Sequence, residues 1–403
     1  MLSIADEMIE WRYALLVSPK MARLRHAGGH RKCPLIGRPE VIGHGQNDAI
    51  DPKETFGRLA YFVNATTLWL RASNGKAMKR RDFIVLLGGT TLVWPCVSRA
   101  QSPPIVIGFL GGQATPSPGD AQGNSLMQGF RNYGLIQGRD FIFEPRFTGG
   151  EDDRFPELAR ELARLKARVI LVNTPAAALA AQSLDPPIPV VMTLMNDPVG
   201  AGLVSSLAHP GHHTTGTANL NEDLTPKILE FIGEILPNLT KVAILHNPLN
   251  PTHAPILTNL RAKTEGTRIT LTPLALKPRD NLANLFSTIT VEKPDAIQLL
   301  GDPAIGDLRF QLATLAKAQK LPLFSTSSIV TDAGGLLSYG GPVNKMLSRM
   351  GYYVKRILDG ANAGDLPVEQ PTEVILVINL KTAKAIGIEI SPTLLARADQ
   401  VIE

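Results

Sequence analysis

Polar and helix-capping residues recur just after short apolar runs in this chain, and that placement limits the chemistry open to it. In open parallel sheets, ligands sit beyond the carboxyl ends of the strands. Three such loops fall in the first half of the body: Gly111-Gly112-Gln113-Ala114-Thr115, Asn173-Thr174-Pro175-Ala176-Ala177 and Met195-Asn196-Asp197-Pro198. His246-Asn247-Pro248, Gly301-Asp302-Pro303 and Ser325-Thr326-Ser327 follow in the second half. The candidate ligand contacts are therefore Gln113, Asn173, Thr174, Ala176, Asp197, Asn247, Asp302 and Thr326. Tyr339 joins them from a segment read as a crossing between two halves.

A helix is expected to start at Thr174-Pro175. Free backbone N–H groups and the positive end of the helix dipole would face the loop, and small side chains would let an anion approach. Thr174 has two readings, a hydroxyl donor to a ligand or an N-cap of its own helix. Asp197 and Asp302 precede prolines, so each could pair with a ligand ammonium or could close a turn or cap.

Signals for catalysis are missing. The stretch Gly108 to Gly112 carries no Gly-x-Gly-x-x-Gly fingerprint, no phosphate-binding Walker loop follows a strand, and no Gly-x-Ser-x-Gly elbow occurs. His209, His212 and His213 cluster in one loop without a carboxylate or thiol at metal-ligand spacing, which reads as a surface turn. The expectation is a binding protein rather than an enzyme, with no cofactor and no metal.

The elements that would carry these loops alternate. Ile105-Val106-Ile107-Gly108-Phe109-Leu110 reads as a buried strand, 124–134 as a helix, 140–147 as a strand and 155–166 as an amphipathic helix. Short apolar strands at 169–172 and 190–194 flank an Ala-rich helix. The pattern restarts with strands at 241–245, 269–276, 296–300 and 323–325, separated by helices at 251–264, 281–289 and 304–318. Such alternation calls for mainly parallel sheets covered on both faces. Two successive series imply an α/β chain with two Rossmann-like lobes. A helix at 225–236, the Tyr339 segment and 365–371 are the expected crossings, together forming a hinge.

The formal charge of +5 does not describe the body. Residues 101–403 hold 26 Lys and Arg against 28 Asp and Glu. The basic excess sits in the first hundred residues and gives no reason to expect nucleic-acid binding. Both cysteines, Cys33 and Cys96, lie there too, so the body can form no disulfide or thiolate site.

Within that leading stretch, Met78-Lys79-Arg80-Arg81-Asp82-Phe83-Ile84 precedes a short apolar run and closes at Ser98-Arg99-Ala100. A charged region, a short apolar core and small residues at a cleavage site make an export signal of twin-arginine type at 78–100, cut near Ala100. Residues 1–77 show little sustained period and read as a non-native or disordered extension. Lipidation of Cys96 is disfavoured by Pro95 before it.

Longer phrases carry a resemblance. They include Asp153-Arg154-Phe155-Pro156-Glu157-Leu158-Ala159, the run from Asp197-Pro198-Val199-Gly200-Ala201-Gly202 to His209-Pro210-Gly211, and Gly335-Leu336-Leu337-Ser338-Tyr339-Gly340. Leu366-Pro367-Val368-Glu369-Gln370-Pro371-Thr372 and Val377-Ile378-Asn379-Leu380-Lys381-Thr382 complete them. Together they resemble the ABC-transporter substrate-binding family related to tryptophan- and branched-chain-amino-acid-binding proteins. His212-His213 departs from it, since relatives typically carry Gly-Asn there.

The resemblance implies a type I periplasmic-binding fold whose cleft captures a small solute, an amino acid or similar. It also implies a periplasmic location and partners in an inner-membrane permease with its ATPase. The lobes are expected at 101–221 completed by 341–366, and at 222–340 completed by 367–403. A ligand sensor for a membrane receptor is the alternative use of the same body, and an enzyme on Rossmann-like lobes a more distant one.

Overall fold

The computed structural model describes residues 104–114, 121–277 and 279–403. The export signal at 78–100 and the extension 1–77 lie outside the described residues.

Strand β1 (Ile105–Gly111) follows Pro104 and ends at a Gly pair. Its inner residues Ile107 and Leu110 are fully buried. After α1 (Ala121–Asn132) come β2 (Phe141–Phe147), a short 3-10 turn at Asp152–Arg154 and α2 (Phe155–Arg164). Then follow β3 (Ala167–Val172), α3 (Pro175–Gln182), β4 (Val190–Met195) and β5 (Thr214–Ala218). These strands form a five-stranded sheet in the order β2-β1-β3-β4-β5, with every pairing parallel.

The second sheet begins after α4 (Asn221–Ile235). It is built from β6 (Lys241–His246), α5 (His253–Thr264), β7 (Thr270–Ala275), α6 (Leu282–Glu292) and β8 (Ala296–Leu299). It continues through α7 (Pro303–Gly306), α8 (Arg309–Ala318), β9 (Leu323–Ser325), α9 (Ser328–Asp332) and β10 (Leu337–Gly340). The chain then makes α10 (Val343–Leu358), β11 (Ile375–Asn379), α11 (Leu380–Ile386), α12 (Pro392–Leu395) and β12 (Gln400–Ile402). The seven-stranded order is β12-β11-β10-β9-β8-β6-β7. Only β10 and β11 pair antiparallel in it.

Helix α10 returns to the first sheet. Its Met350, Tyr353 and Val354 share a core with Ile107, Phe130 and Val169. The close approach is glycine to glycine: a Cβ on Gly351 would collide with the Gly129 carbonyl of α1. The chain then runs beside β5, where Glu369 N–H donates to Gly216 O and Ala218 N–H to Glu369 O. Strands β11 and β12 return to the second sheet, so the lobes are joined where the chain leaves β5, β10 and the 366–374 stretch.

The two-lobed α/β architecture expected from the sequence is present, and several local readings need correction. The helix expected at 304–318 is two helices, broken at Asp307 and Leu308 after Asp302 caps the short first one. The helix expected at 225–236 begins at Asn221 and lies within the second lobe, with Ile228, Phe231 and Ile232 beside Val242 and Ile244. Of the crossing segment expected at 337–342, Leu337–Gly340 is the internal strand β10, and the chain crosses at its end, at Gly341-Pro342. Strand β5, Thr-Thr-Gly-Thr-Ala, is fully buried and was not read as a strand, because it lacks an apolar run. His212 and His213, just before it, both adopt left-handed backbone at φ 48° and 54°.

Candidate functional site

A cavity of about 230 Å³ lies where the carboxyl ends of β1, β3 and β4 face those of β8 and β9. Its first-lobe wall has an apolar end. Phe109 from β1 sits 5.7 Å from the Phe147 ring and 6.2 Å from the Phe143 ring, both on β2. Leu126 of α1 and Met346 of α10 extend this end.

The polar end is tightly cross-braced. Asn173 accepts from Gly112 N–H at 3.1 Å and donates to Gln113 Oε1 at 2.6 Å. Asn219 donates to Leu194 O, and its own Oδ1 accepts from Asn221 N–H. Asn221 packs directly against Gly301, where a Cβ would strike its amide.

In the second lobe Asp302 organises the wall. Its Oδ1 accepts from Ala304 N–H and Ile305 N–H, capping α7. Its Oδ2 accepts from the side chains of Asn247 and Asn250. Behind it, fully buried His253 accepts from Asn247 N–H on Nδ1 and contacts Gly301 O through Nε2 at 3.1 Å. An acceptor Nδ1 leaves the ring neutral, with Nε2–H donating to that carbonyl. Burial pushes the His253 pKa below its ordinary value, opposed by the nearby Asp302 charge.

Acidic groups meet across the cleft. Burial pushes the Asp152 carboxyl up, and the charges of Asp302 and Asp153 add to that. Glu222, at the start of α4, is raised by burial too, with Asp197 and Asp223 contributing.

Bridges join the two walls. Asn196 donates to Thr252 Oγ1 at 2.7 Å, Ala114 N–H donates to Asp307 at 2.6 Å, and Arg279 pairs with Glu151. Three contacts thus span the cleft.

Of the residues singled out in the sequence, Gln113, Asn173, Asp302 and Thr326 line the cavity together. The others lie behind it or elsewhere. Thr174 is a buried N-cap whose hydroxyl accepts from Ala177 N–H, which takes up one of the amides expected to meet an anion. Ala176 packs into the first-lobe core. Asp197 closes a turn on Gly200 N–H. Asn247 supports Asp302 rather than the cavity. Tyr339 stacks edge-on against Phe231, at 5.2 Å between ring centres. The sequence reading missed Phe143, Phe147, Asn196, Asn219, Asn221 and Asn250. Asn196 was in a loop selected by the strand-end rule, and Phe147 ended a strand that was recognised.

Among the described residues, no group of three His, Cys, Asp or Glu side chains could hold a metal ion. No helix among them is long and apolar enough to cross a membrane.

Two mainly parallel sheets with a cleft between their strand ends, joined by several connections, define a type I periplasmic-binding fold. Residues 120–402 match the model of the family described as ABC transporter substrate binding protein, and the chain belongs to that family. A curated tyrosine-binding protein from Clostridioides difficile is 26% identical over 225 residues. That match covers 56% of this chain and 64% of the relative, so it spans a little under two thirds of the relative's length.

Solved structures agree on the fold. A conserved domain protein from Vibrio cholerae is 27% identical with a TM-score of 0.67, covering 74% of this chain and 99% of that one. An ABC domain from Streptococcus pneumonia in complex with L-Trp is 24% identical with a TM-score of 0.64, covering 74% and 100%.

Proposed function

We propose that this protein is the periplasmic solute-binding component of an importer, and that it captures an amino acid with an aromatic or large apolar side chain. It acts by binding alone and hands its solute to an inner-membrane permease driven by an ATPase. The observation that carries the reading is the two-ended cavity. Phe109, Phe143 and Phe147 form an apolar end, and asparagines and Asp302 form a polar one. An aromatic ring gains area burial and edge contacts at the first end, while the second supplies the few placed polar groups that fix orientation. The tyrosine-binding relative and the L-Trp-bound neighbour support the same ligand class.

The connections after β5, after β10 and along 366–374 act as the hinge, and ligand holds the lobes closed. Gln113, Asn173 and Thr326 are proposed as direct ligand contacts. Asp302 is proposed chiefly to hold its wall together, since its oxygens already accept four hydrogen bonds.

A thermal-shift screen against amino acids, small organic acids and sugars tests this. Ligand that binds only the folded state raises the melting temperature by mass action. A rise with aromatic amino acids and none with sugars is expected. A rise confined to sugars would overturn the reading.

A further inference from the structure

Asn221 at the start of α4 and Thr326 just after β9 are each only 7% exposed, and both line the cavity. The Asn221 N–H donates to Asn219 and its carbonyl accepts from Thr225, yet its side-chain amide has no hydrogen-bond partner among the described residues. The Thr326 hydroxyl has none among them either. Neither group is sealed in the core, because both amide atoms and Thr326 Oγ1 keep accessible surface. Buried polar groups are nearly always paired. Two without a protein partner on one cavity wall mark a place for a polar group of the solute.

Gly301 brings them together. A Cβ there would lie 2.6 Å from Asn221 Nδ2 and 3.4 Å from Thr326 Oγ1, so the two side chains flank one point on bare backbone. The amide turns Nδ2 toward Gly301, which makes Oδ1 the arm farther from that backbone.

The charge beside them is negative. Asp302 follows Gly301 in the chain, lines the cavity and is 8% exposed. Its four hydrogen bonds come from neutral donors, two backbone amides and two asparagine side chains. It has no ion-pair partner among the described residues. The other charged side chains on the lining, Asp307 and Arg309, lie at the break between α7 and α8. A buried charge without a counter-charge is costly, so a cation is favoured beside Gly301 and an anion is not.

We propose that Asn221 Oδ1 and Thr326 Oγ1 are specificity-determining acceptors for the solute's ammonium group, which brings a positive charge to Asp302. The proposal deepens the amino-acid reading above and rests on it. An ammonium carries three donors, so it can serve both acceptors at once. Asp302 acts on it through space while its oxygens stay on their amides.

The test is calorimetric titration with L-tyrosine, L-tryptophan and L-leucine. Each is run beside the same molecule lacking the amine and the same molecule lacking the carboxylate. Each amino acid that binds should do so about ten- to hundred-fold more tightly than its desamino partner, as expected for lost hydrogen bonds to a charged group. Asn221→Leu and Thr326→Val should each shrink that ratio about ten-fold and leave the ratio to the decarboxylated amine unchanged. Thr326→Ser retains a hydroxyl and should keep both ratios, and it separates loss of the acceptor from loss of packing if Asn221→Leu does not fold.

Desamino acids that bind as tightly as the amino acids would overturn the ammonium contact and leave capture of the side chain standing. An unchanged desamino ratio in Thr326→Val would overturn it as well. A fall in the carboxylate ratio instead would place the solute's carboxylate on this pair and overturn the proposal. Binding of L-leucine alone with the desamino ratio intact would support it. Binding of none of the three amino acids would overturn the amino-acid reading and the proposal with it.

Discussion

Asn196 of the first lobe donates to Thr252 of the second at 2.7 Å, so a side chain on the cavity wall also bridges the lobes. The bridge belongs to a polar network that ends on Asp302, which caps α7 and binds two asparagine side chains.

Removing that anchor should therefore cost stability before it costs selectivity. Asp302→Ala loses the cap, worth about 0.5–2 kcal/mol, and strands buried amides at about 1–3 kcal/mol each. The expected loss is about 2–4 kcal/mol in denaturant unfolding. A variant as stable as wild type but unable to bind solute would instead make Asp302 a direct ligand contact.

His253 gives a pH dependence of defined sign. Its folded pKa is lowered by burial, so the native state binds fewer protons than the unfolded chain. Its contribution to stability is complete above the ordinary histidine pKa of about 6.5 and is lost as pH falls through that value toward the lower folded one. His246 shifts in the same direction, again by burial first. Asp152 and Glu222 are raised and act oppositely, favouring the folded state as it takes up protons on acidification. The His253 share is isolated by comparing melting temperatures of wild type and His253→Gln from pH 7.5 to 5. The wild-type curve should fall more steeply below about pH 6.5. Parallel curves would contradict the buried neutral ring.

His212 and His213 are consecutive left-handed residues, a conformation that costs an L-residue roughly 1–2 kcal/mol and suits Gly and Asn best. Replacing them by Gly and Asn should raise stability by about 0.5–1.5 kcal/mol, after the added freedom of glycine in the unfolded chain is deducted. Chemical unfolding reads this directly, and a destabilised double variant would show that the histidines make compensating contacts.

Where periodicity and punctuation were strong, the fold was legible. Ile105-Val106-Ile107-Gly108-Phe109-Leu110 before a glycine pair, and Lys241-Val242-Ala243-Ile244-Leu245, read as strands and are strands. Strand β5 was hidden because its threonines carry no apolar signal. It is buried by Glu369 pairing from more than a hundred residues away, and by a backbone approach at Gly216 that leaves no room for a Cβ beside Met192 O.

The site was legible at the level of loops, since the strand-end rule chose most of the right ones. It failed at the level of side chains. An Asp or Thr before Pro can face a ligand or cap its own helix, and only the positions of the neighbouring amides decide. Thr174 and Asp302 both became caps. Asn196, Asn219 and Asn250 come from separate loops, and nothing local in the sequence announces that they meet.

The central claim is that a solute with an aromatic or large apolar side chain lodges between Phe147 and the polar wall. Calorimetric titration of L-tyrosine, L-tryptophan and L-leucine into wild type and Phe147→Ala tests it most directly. One-to-one binding of at least one of them in wild type is predicted. It should weaken by about 1–2 kcal/mol in the variant, of the order of a lost ring contact and its buried area. Unchanged affinity in Phe147→Ala, or no heat with any of the three, would contradict it.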